Sequence, residues 1–206
     1  MKKTLIAIGI GFLVQGYALA AHATVLDFET LANNDDQIHD LGASYIEKGY
    51  RLENLGHFPF STYGSQNPFF SGSTALINDN DAGITRLSLV SQGEFALRSI
   101  DMVTLYPGLT PDGADITFTA LRTDHTIISH VIHIDDRLPG SGAQTFAFGS
   151  DFEHLAAVSW SNMASYHQFD NINVTAVPEP ESYAMLLAGL GLLGALARRR
   201  PRAGLV

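Results

Sequence analysis

Apolar and polar residues alternate with a period of two over most of the chain between residues 25 and 174. This period is typical of half-buried β-strands, and no long window there has the 3.6-residue period of a helix. The pattern predicts ten strands: Val25–Glu29, Tyr50–Asn54, Thr74–Asn78, Ile84–Leu89, Phe95–Tyr106, Asp115–Thr123, Thr126–Ile134, Gln144–Phe148, Leu155–Ser161 and Phe169–Val174. Strands of this number and spacing, separated by Gly, Pro, Asn and Asp, predict an all-β protein with a single β-sandwich of the jelly-roll type.

Two stretches do not follow the alternation. Asn33–Lys48 is expected to form one short helix or a long ordered loop, and residues 57–73 are expected to form an aromatic-rich loop. The aromatic residues of that loop are candidate ligand-binding residues: Phe58, Phe60, Tyr63, Phe69 and Phe70. Exposed apolar clusters often mark binding surfaces, and the alternative is that these rings fold inward as a lid on the sandwich.

The N-terminus has the organisation of a secretory signal peptide. Lys2 and Lys3 precede an apolar run, and small residues follow in the order Ala18-Leu19-Ala20 and Ala21-His22-Ala23. A basic start, a short apolar region and an A-x-A site predict cleavage, after Ala23 or alternatively after Ala20. We therefore take residues 1–23 as the signal peptide and expect the mature protein to leave the cytoplasm.

The C-terminus has three parts in a fixed order. Val177-Pro178-Glu179-Pro180 cannot lie inside a helix, because each proline lacks an N–H donor and forces its predecessor into extended geometry. Residues 182–197 carry no charge, and Arg198, Arg199 and Arg200 follow them. A sixteen-residue helix would span about 24 Å, short of a bilayer core of roughly 30 Å, so it predicts a weak transmembrane helix with the arginines in the cytoplasm.

This order resembles the PEP-CTERM sorting signal of Gram-negative bacteria. The resemblance covers residues 177–206, and only the six residues after Arg200 extend beyond the usual pattern. It implies that the membrane enzyme exosortase recognises the tail, that the protein is first anchored in the inner membrane, and that it then reaches the cell surface or the extracellular matrix. The alternative is an ordinary C-terminal anchor, which would not need two prolines around a glutamate.

The remaining residues, 24–176, are expected to form the sandwich domain. Three short stretches, FFSGSTALIND, VSW and HQFDNINV, resemble galactose-binding and carbohydrate-binding-module jelly rolls. This resemblance is one of fold and does not by itself transfer a ligand. Extracellular polysaccharide is the expected partner because the resemblance of the tail to the sorting signal implies a host that makes a polysaccharide matrix.

The domain is strongly acidic. It contains nineteen acidic and six basic residues, a net charge near −13, and the chain has no cysteine. Such a field repels nucleic acid, which excludes it as a partner, and it suits divalent cations. The absence of cysteine excludes disulfides and thiol catalysis.

A structural calcium ion is predicted where the first and last strands meet. If these strands pair antiparallel, Glu29 lies beside Asp170, and Asp170 shares a strand face with apolar Ile172 and Val174. A carboxylate on a core-facing stripe needs a partner, and Ca²⁺ binds such oxygens. The alternative is that Asp170 accepts hydrogen bonds from loop amides.

No catalytic residues are identified. The five glutamates of the domain do not form a pair on one strand face, and no G-x-S-x-G motif is present. The sequence therefore favours an exported, non-catalytic structural or adhesive protein that binds polysaccharide. The alternative is a small polysaccharide-active enzyme, a hydrolase or lyase, on the same fold.

Overall fold

The computed structural model describes residues 23–78, 83–105, 108, 112–137, 141–161, 166–177 and 186–194. The predicted signal peptide up to residue 22, the prolines of the C-terminal motif and the arginine cluster lie outside these residues. In the described part of the chain, no helix is both long and apolar enough to cross a membrane. The predicted membrane segment is described only at residues 186–194, which form a helix with every residue exposed.

The described residues contain thirteen strands. In chain order these are β1 Ala23–Leu26, β2 Ile38–Gly42, β3 Ser44–Glu47, β4 Tyr50–Asn54, β5 Phe60–Tyr63, β6 Leu76–Asn78, β7 Ile84–Leu89, β8 Glu94–Thr104, β9 Ala114–Arg122, β10 Ile127–Ile134, β11 Gln144–Ala147, β12 Leu155–Ser161 and β13 His167–Val177. Two 3₁₀ turns, Glu29–Leu31 and Ser150–Phe152, follow β1 and β11.

The strands form two antiparallel layers. One layer has the order β2-β5-β6-β13-β8-β11, with β1 beside β13, and the other has the order β3-β4-β7-β12-β9-β10. A single pair, Leu155 with Phe95, joins the two layers along the backbone. The prediction of an all-β sandwich is therefore confirmed, and so is the antiparallel pairing of the first strand with the last.

Alternating side chains fill the space between the layers. In β9, Ala114, Ile116, Phe118 and Ala120 are buried while the residues between them are exposed. Trp160 of β12 lies at the centre of the core, 5.2 Å from the ring of Phe169 in the opposite layer and 5.3 Å from the ring of Phe118. Trp160 is 1% exposed, so its large ring contributes apolar contact to both layers of the core.

Two expectations about the N-terminal half are wrong. The segment expected to be a helix or loop, 33–48, contains the strands β2 and β3, and the expected aromatic loop contains β5. Both β2 and β3 lie near sheet edges and alternate only between exposed and half-buried positions over most of their length. Their sequences therefore lack the apolar stripe that reveals a strand.

Candidate functional site: a polar pocket at the rim of the sandwich

Two loops meet at one rim of the sandwich and are joined by backbone hydrogen bonds. The amides of Gly64, Ser65 and Gln66 donate to the carbonyl oxygens of Gln37, Asn33 and Asp35 at 2.8–2.9 Å. This pairing continues the β2–β5 ladder beyond its end and fixes the loop before β2 against the loop after β5. Backbone hydrogen bonds between the two loops therefore hold this part of the rim together.

A cavity of about 300 Å³ lies beside these loops. It is lined by Glu29, Ala32, Asn33, Asn34, Ser65, Phe70, Gly72, Ser73 and Thr74. The lining combines hydroxyl and amide groups with one aromatic ring, and its volume is at the lower end of pockets that bind small molecules. We refer to it as the rim pocket.

In the side-chain amides of Asn33 and Asn34, one polar atom forms a hydrogen bond and the other forms none among the described residues. Asn33 donates its Nδ2 to the Leu31 carbonyl, and Asn34 accepts the Ser65 hydroxyl on its Oδ1. Within the part of the chain that is described, Oδ1 of Asn33 and Nδ2 of Asn34 have no hydrogen-bond partner, and both residues are exposed. Because both residues line the pocket, an acceptor on Asn33 and a donor on Asn34 are available to a ligand.

Glu29 anchors the opposite side of the pocket. It lies at the start of the first 3₁₀ turn, and its two carboxylate oxygens accept hydrogen bonds from the backbone amide and the hydroxyl of Thr74, at 3.3 and 3.2 Å. The carboxylate therefore ties the turn after β1 to the loop before β6.

Asp170 lies behind the pocket, with only 3% of its surface exposed. Its carboxylate accepts hydrogen bonds from the Ser73 hydroxyl at 2.5 Å and from the backbone N–H of Asn171 at 2.6 Å. Burial raises the pKa of Asp170 to about 6; the two hydrogen bonds oppose this rise, and the carboxylates of Glu29 and Asp101 add to it. Asp170 is thus a carboxylate whose charged form is costly in this environment.

A β-bulge in β13 produces this placement. The register of β13 against β8 shifts between Asp170 and Asn173, and Asn171 has a φ of 46°, in the left-handed region. Asparagine tolerates this conformation better than most residues. Its Nδ2 donates to Asp101 at 3.0 Å, so the bulge is held by the same carboxylates that surround it.

The two predicted calcium ligands therefore accept hydrogen bonds from neighbouring residues of one loop. Glu29 accepts from Thr74, and Asp170 accepts from Ser73. Among the described residues, no group of three His, Cys, Asp or Glu side chains is placed to hold a metal ion. An ion between the two carboxylates would need backbone or hydroxyl oxygens to complete its shell, as Ca²⁺ accepts. The calcium ion stays a prediction.

The five aromatic residues singled out from the sequence do not form one cluster. Phe60 and Tyr63 belong to β5 and are buried, and Phe69 packs on Tyr63 with ring centroids 5.7 Å apart. Phe58 is 47% exposed, and Phe70 lines the rim pocket. The interpretation as one exposed aromatic platform is therefore wrong for Phe60 and Tyr63, because all four residues of β5 are buried and the strand has no exposed face.

Asn33, Asn34, Ser65 and Ser73 were not identified from the sequence as site residues. The run Asn33-Asn34-Asp35-Asp36 indicates a loop by its composition. Nothing local indicates that this loop faces residues 65–74, some thirty positions later along the chain.

The sorting motif follows the sandwich without a linker. Val177 is the last residue of β13 and pairs with Glu94, while Pro178, Glu179 and Pro180 and the arginines Arg198, Arg199 and Arg200 lie outside the described residues. Residues 176–200 match the family model of the PEP-CTERM protein-sorting motif. The resemblance found at the C-terminus is confirmed.

Comparison with solved structures gives distant similarities. A mutant of CBM29-2, a family 29 carbohydrate binding module, is 13% identical, with a TM-score of 0.43 over 81% of this chain and 97% of that chain. An exo-beta-agarase is 14% identical, with a TM-score of 0.36 over 77% of this chain and 26% of that chain. No curated protein matches the chain. At these identities no ligand or activity is carried over.

The fold and the tail together define an exported β-sandwich protein. More specifically, it carries a PEP-CTERM sorting motif attached directly to its last strand.

Proposed function

We propose that this protein is delivered by exosortase to the cell surface or extracellular matrix, where its sandwich binds polysaccharide without cleaving it. The rim pocket is the proposed binding site. Delivery is supported by the PEP-CTERM motif at residues 176–200, which begins within β13. Before processing, the apolar segment after the motif would anchor the protein in the inner membrane.

The composition of the rim pocket is the observation that carries the binding proposal. A sugar hydroxyl can donate to Oδ1 of Asn33 and accept from Nδ2 of Asn34, while the apolar face of a sugar ring can lie on Phe70. Binding sites of this kind combine a ring or apolar wall with a small number of fixed polar groups. The loop pairing at Gly64–Gln66 holds these groups in place before a ligand arrives.

Binding is favoured over catalysis by the carboxylates. A glycosidase needs two carboxyl groups on opposite sides of the bond that is cleaved. Of the described residues, Glu29 is the only carboxylate that lines the rim pocket, and both its oxygens are engaged by Thr74. Asp170 is buried behind Ser73. The polysaccharide-active enzyme remains the competing proposal.

The test is glycan-array binding by residues 23–177, followed by titration of the best glycan. These residues contain both sheets and the whole described core, so the fragment is expected to fold alone. Phe70→Ala and Asn34→Asp should each weaken binding by roughly tenfold or more, because the first removes the apolar wall and the second replaces a donor with an acceptor.

Phe58→Ala is the matched control. Phe58 is exposed and belongs to the same stretch, but it does not line the rim pocket, so its removal should leave binding unchanged. Equal losses in Phe58→Ala and Phe70→Ala, or no glycan bound by the unmodified domain, would contradict the proposal. Release of reducing ends from the bound glycan would favour the enzyme.

A further inference from the structure

The edge of the second layer is formed by β10, residues Ile127–Ile134. Within the described part of the chain β10 pairs only with β9, so its other side has no strand partner. It has eight residues, whereas the other edge strands β2, β3 and β11 have five, four and four. It is therefore the longest edge among the described strands.

This edge lacks the features that usually prevent strands from pairing with other chains. The sequence IISHVIHI contains no Lys, Arg, Asp, Glu or Pro, whereas β2 contains Asp40 and β3 contains Glu47. Ile127 and Val131 are 68% and 54% exposed, on the solvent face of the strand. Proteins normally protect long edges with charges, prolines or bulges, so an unprotected edge indicates a partner.

The free hydrogen-bonding groups of the edge can be assigned from the β9–β10 ladder. The backbone amide of Arg122 donates to the carbonyl of Thr126, so the backbone N–H and C=O of Thr126 point toward β9. Because the direction alternates along an antiparallel ladder, the four odd-numbered residues direct their N–H and C=O groups away from β9. These are Ile127, Ser129, Val131 and His133.

We propose that two copies of the protein pair through this edge, with the two β10 strands antiparallel about a twofold axis. Residues directly opposite each other must lie on the same face of the joined sheet, so odd-numbered residues oppose odd-numbered residues. Centring the pair on Ser129 places Ile127 of each copy opposite Val131 of the other. The two most exposed apolar side chains of the strand then cover each other.

The charge distribution favours this edge as the contact between two copies, because the strand contains no Lys, Arg, Asp or Glu. Two domains with a net charge near −13 repel each other over most of their surfaces. Near β10, Asp135 is paired with Arg137 at 2.9 Å, and Asp115 lies 2.7 Å from His133, which compensates its charge when the imidazole is protonated. Among the described residues, Asp124 before β10 and Asp136 after it form no ion pair, although the charge of Arg122 acts on Asp124. Salt should therefore strengthen the dimer by screening the residual repulsion.

The dimer would join two six-stranded layers into one continuous sheet. It would also make the protein bivalent. If the rim pocket binds polysaccharide as proposed above, two pockets on one particle would bind a polymer with avidity beyond that of a single site. The pairing itself does not depend on that ligand.

Disulfide cross-linking provides the test, because the chain has no cysteine of its own. In the fragment 23–177, Ser129→Cys should form a covalent dimer under mild oxidation, since Cα atoms of a hydrogen-bonded antiparallel pair are about 5.5 Å apart. Thr119→Cys is the matched control: Thr119 pairs with Ser129 on the same exposed face, but one strand further from the edge. It should form no covalent dimer, although the non-covalent pairing through β10 is unchanged.

A charge placed in the edge gives an independent measurement. Val131→Lys should weaken the dimer by roughly tenfold or more in sedimentation equilibrium, because it removes both contacts between Val131 and Ile127 of the other copy, one on each side of the twofold axis. Thr117→Lys, opposite Val131 on β9, should not weaken it. Both sites are exposed, and unchanged melting temperatures would establish that the variants fold. A monomer at every concentration up to the limit of solubility, a dimer insensitive to Val131→Lys, or no cross-link in Ser129→Cys would overturn the proposal.

Discussion

Asp170 is a carboxylate whose ionisation is opposed by its surroundings. It is buried beside two other carboxylates, and its pKa is raised to about 6 from the ordinary value of 3.8. A raised pKa means that the folded state binds a proton more tightly than the unfolded state does. Its contribution to stability is therefore fully present below about pH 4 and is lost as the pH rises through about 6.

Asp170→Asn should remove this pH dependence in protein kept free of divalent cations. The amide has nearly the same shape and no charge, so the variant should gain stability over the unmodified domain as the pH rises from 4 to 7. A difference of about two pKa units corresponds to a gain on the order of 2–3 kcal/mol. Thermal unfolding at several pH values in EDTA would measure it, and a gain that does not vary with pH would contradict the assignment.

If Glu29 and Asp170 share a calcium ion, the unmodified domain should be more stable than Asp170→Asn when calcium is present. Binding to the folded state alone adds about 2.7 kcal/mol at a hundredfold excess over Kd, which should raise the melting temperature by about 5–10 °C. Glu29→Gln and Asp170→Asn should each reduce the gain, because an amide is a weaker ligand than a carboxylate.

Magnesium is the control for diffuse screening of the acidic domain, because it requires near-ideal octahedral geometry and loses its water reluctantly. Equal stabilisation by both ions, unchanged in the two variants, would show that no specific site exists.

At the scale of elements, the rim pocket depends on the close pairing of its two loops. A side chain at Gly64 would overlap the carbonyl oxygen and the side chain of Asp35. Gly64→Ala should therefore separate the loops, destabilise the domain by about 1–3 kcal/mol and weaken glycan binding. Gly149→Ala is the control, since a Cβ there meets no atom within 4 Å. Comparable losses from both substitutions in chemical denaturation would contradict the role of the pairing.

The elements differ in how far the sequence predicts them. β9 and β12 were predicted almost to the residue, because each has a buried layer on one face and a clear period-two pattern. β2 and β3 were missed, because edge strands do not need an apolar stripe. Of the residues that line the rim pocket, the sequence singles out Phe70 and Glu29. It does not single out Asn33 and Asn34, which reach the pocket only through the contact with residues 64–67.

For the whole molecule, the central prediction concerns sorting. Replacing Pro178 and Pro180 with alanine should leave the tail uncleaved and the protein in the inner membrane of a host that has exosortase. Proline cannot continue a helix and disfavours helical geometry in the residue before it, whereas alanine would allow helix to extend into the motif. Cell fractionation and immunoblotting would show the outcome, with Ser182→Ala as a control that leaves both prolines in place. Normal surface delivery of the double variant would contradict the proposal.

The sequence by itself determined the class of fold, the acidity of the domain and the C-terminal motif. These are local or additive properties: alternation reports the burial of each strand separately, charges sum, and the motif is contiguous. Only the tertiary structure decided that Phe60 and Tyr63 are buried, that Asp170 lies behind Ser73, and that β10 has a free edge. Each of these depends on which distant segments lie side by side. That choice is made by the pairing and packing of the whole sandwich, because a strand's own pattern specifies its faces but not its neighbours.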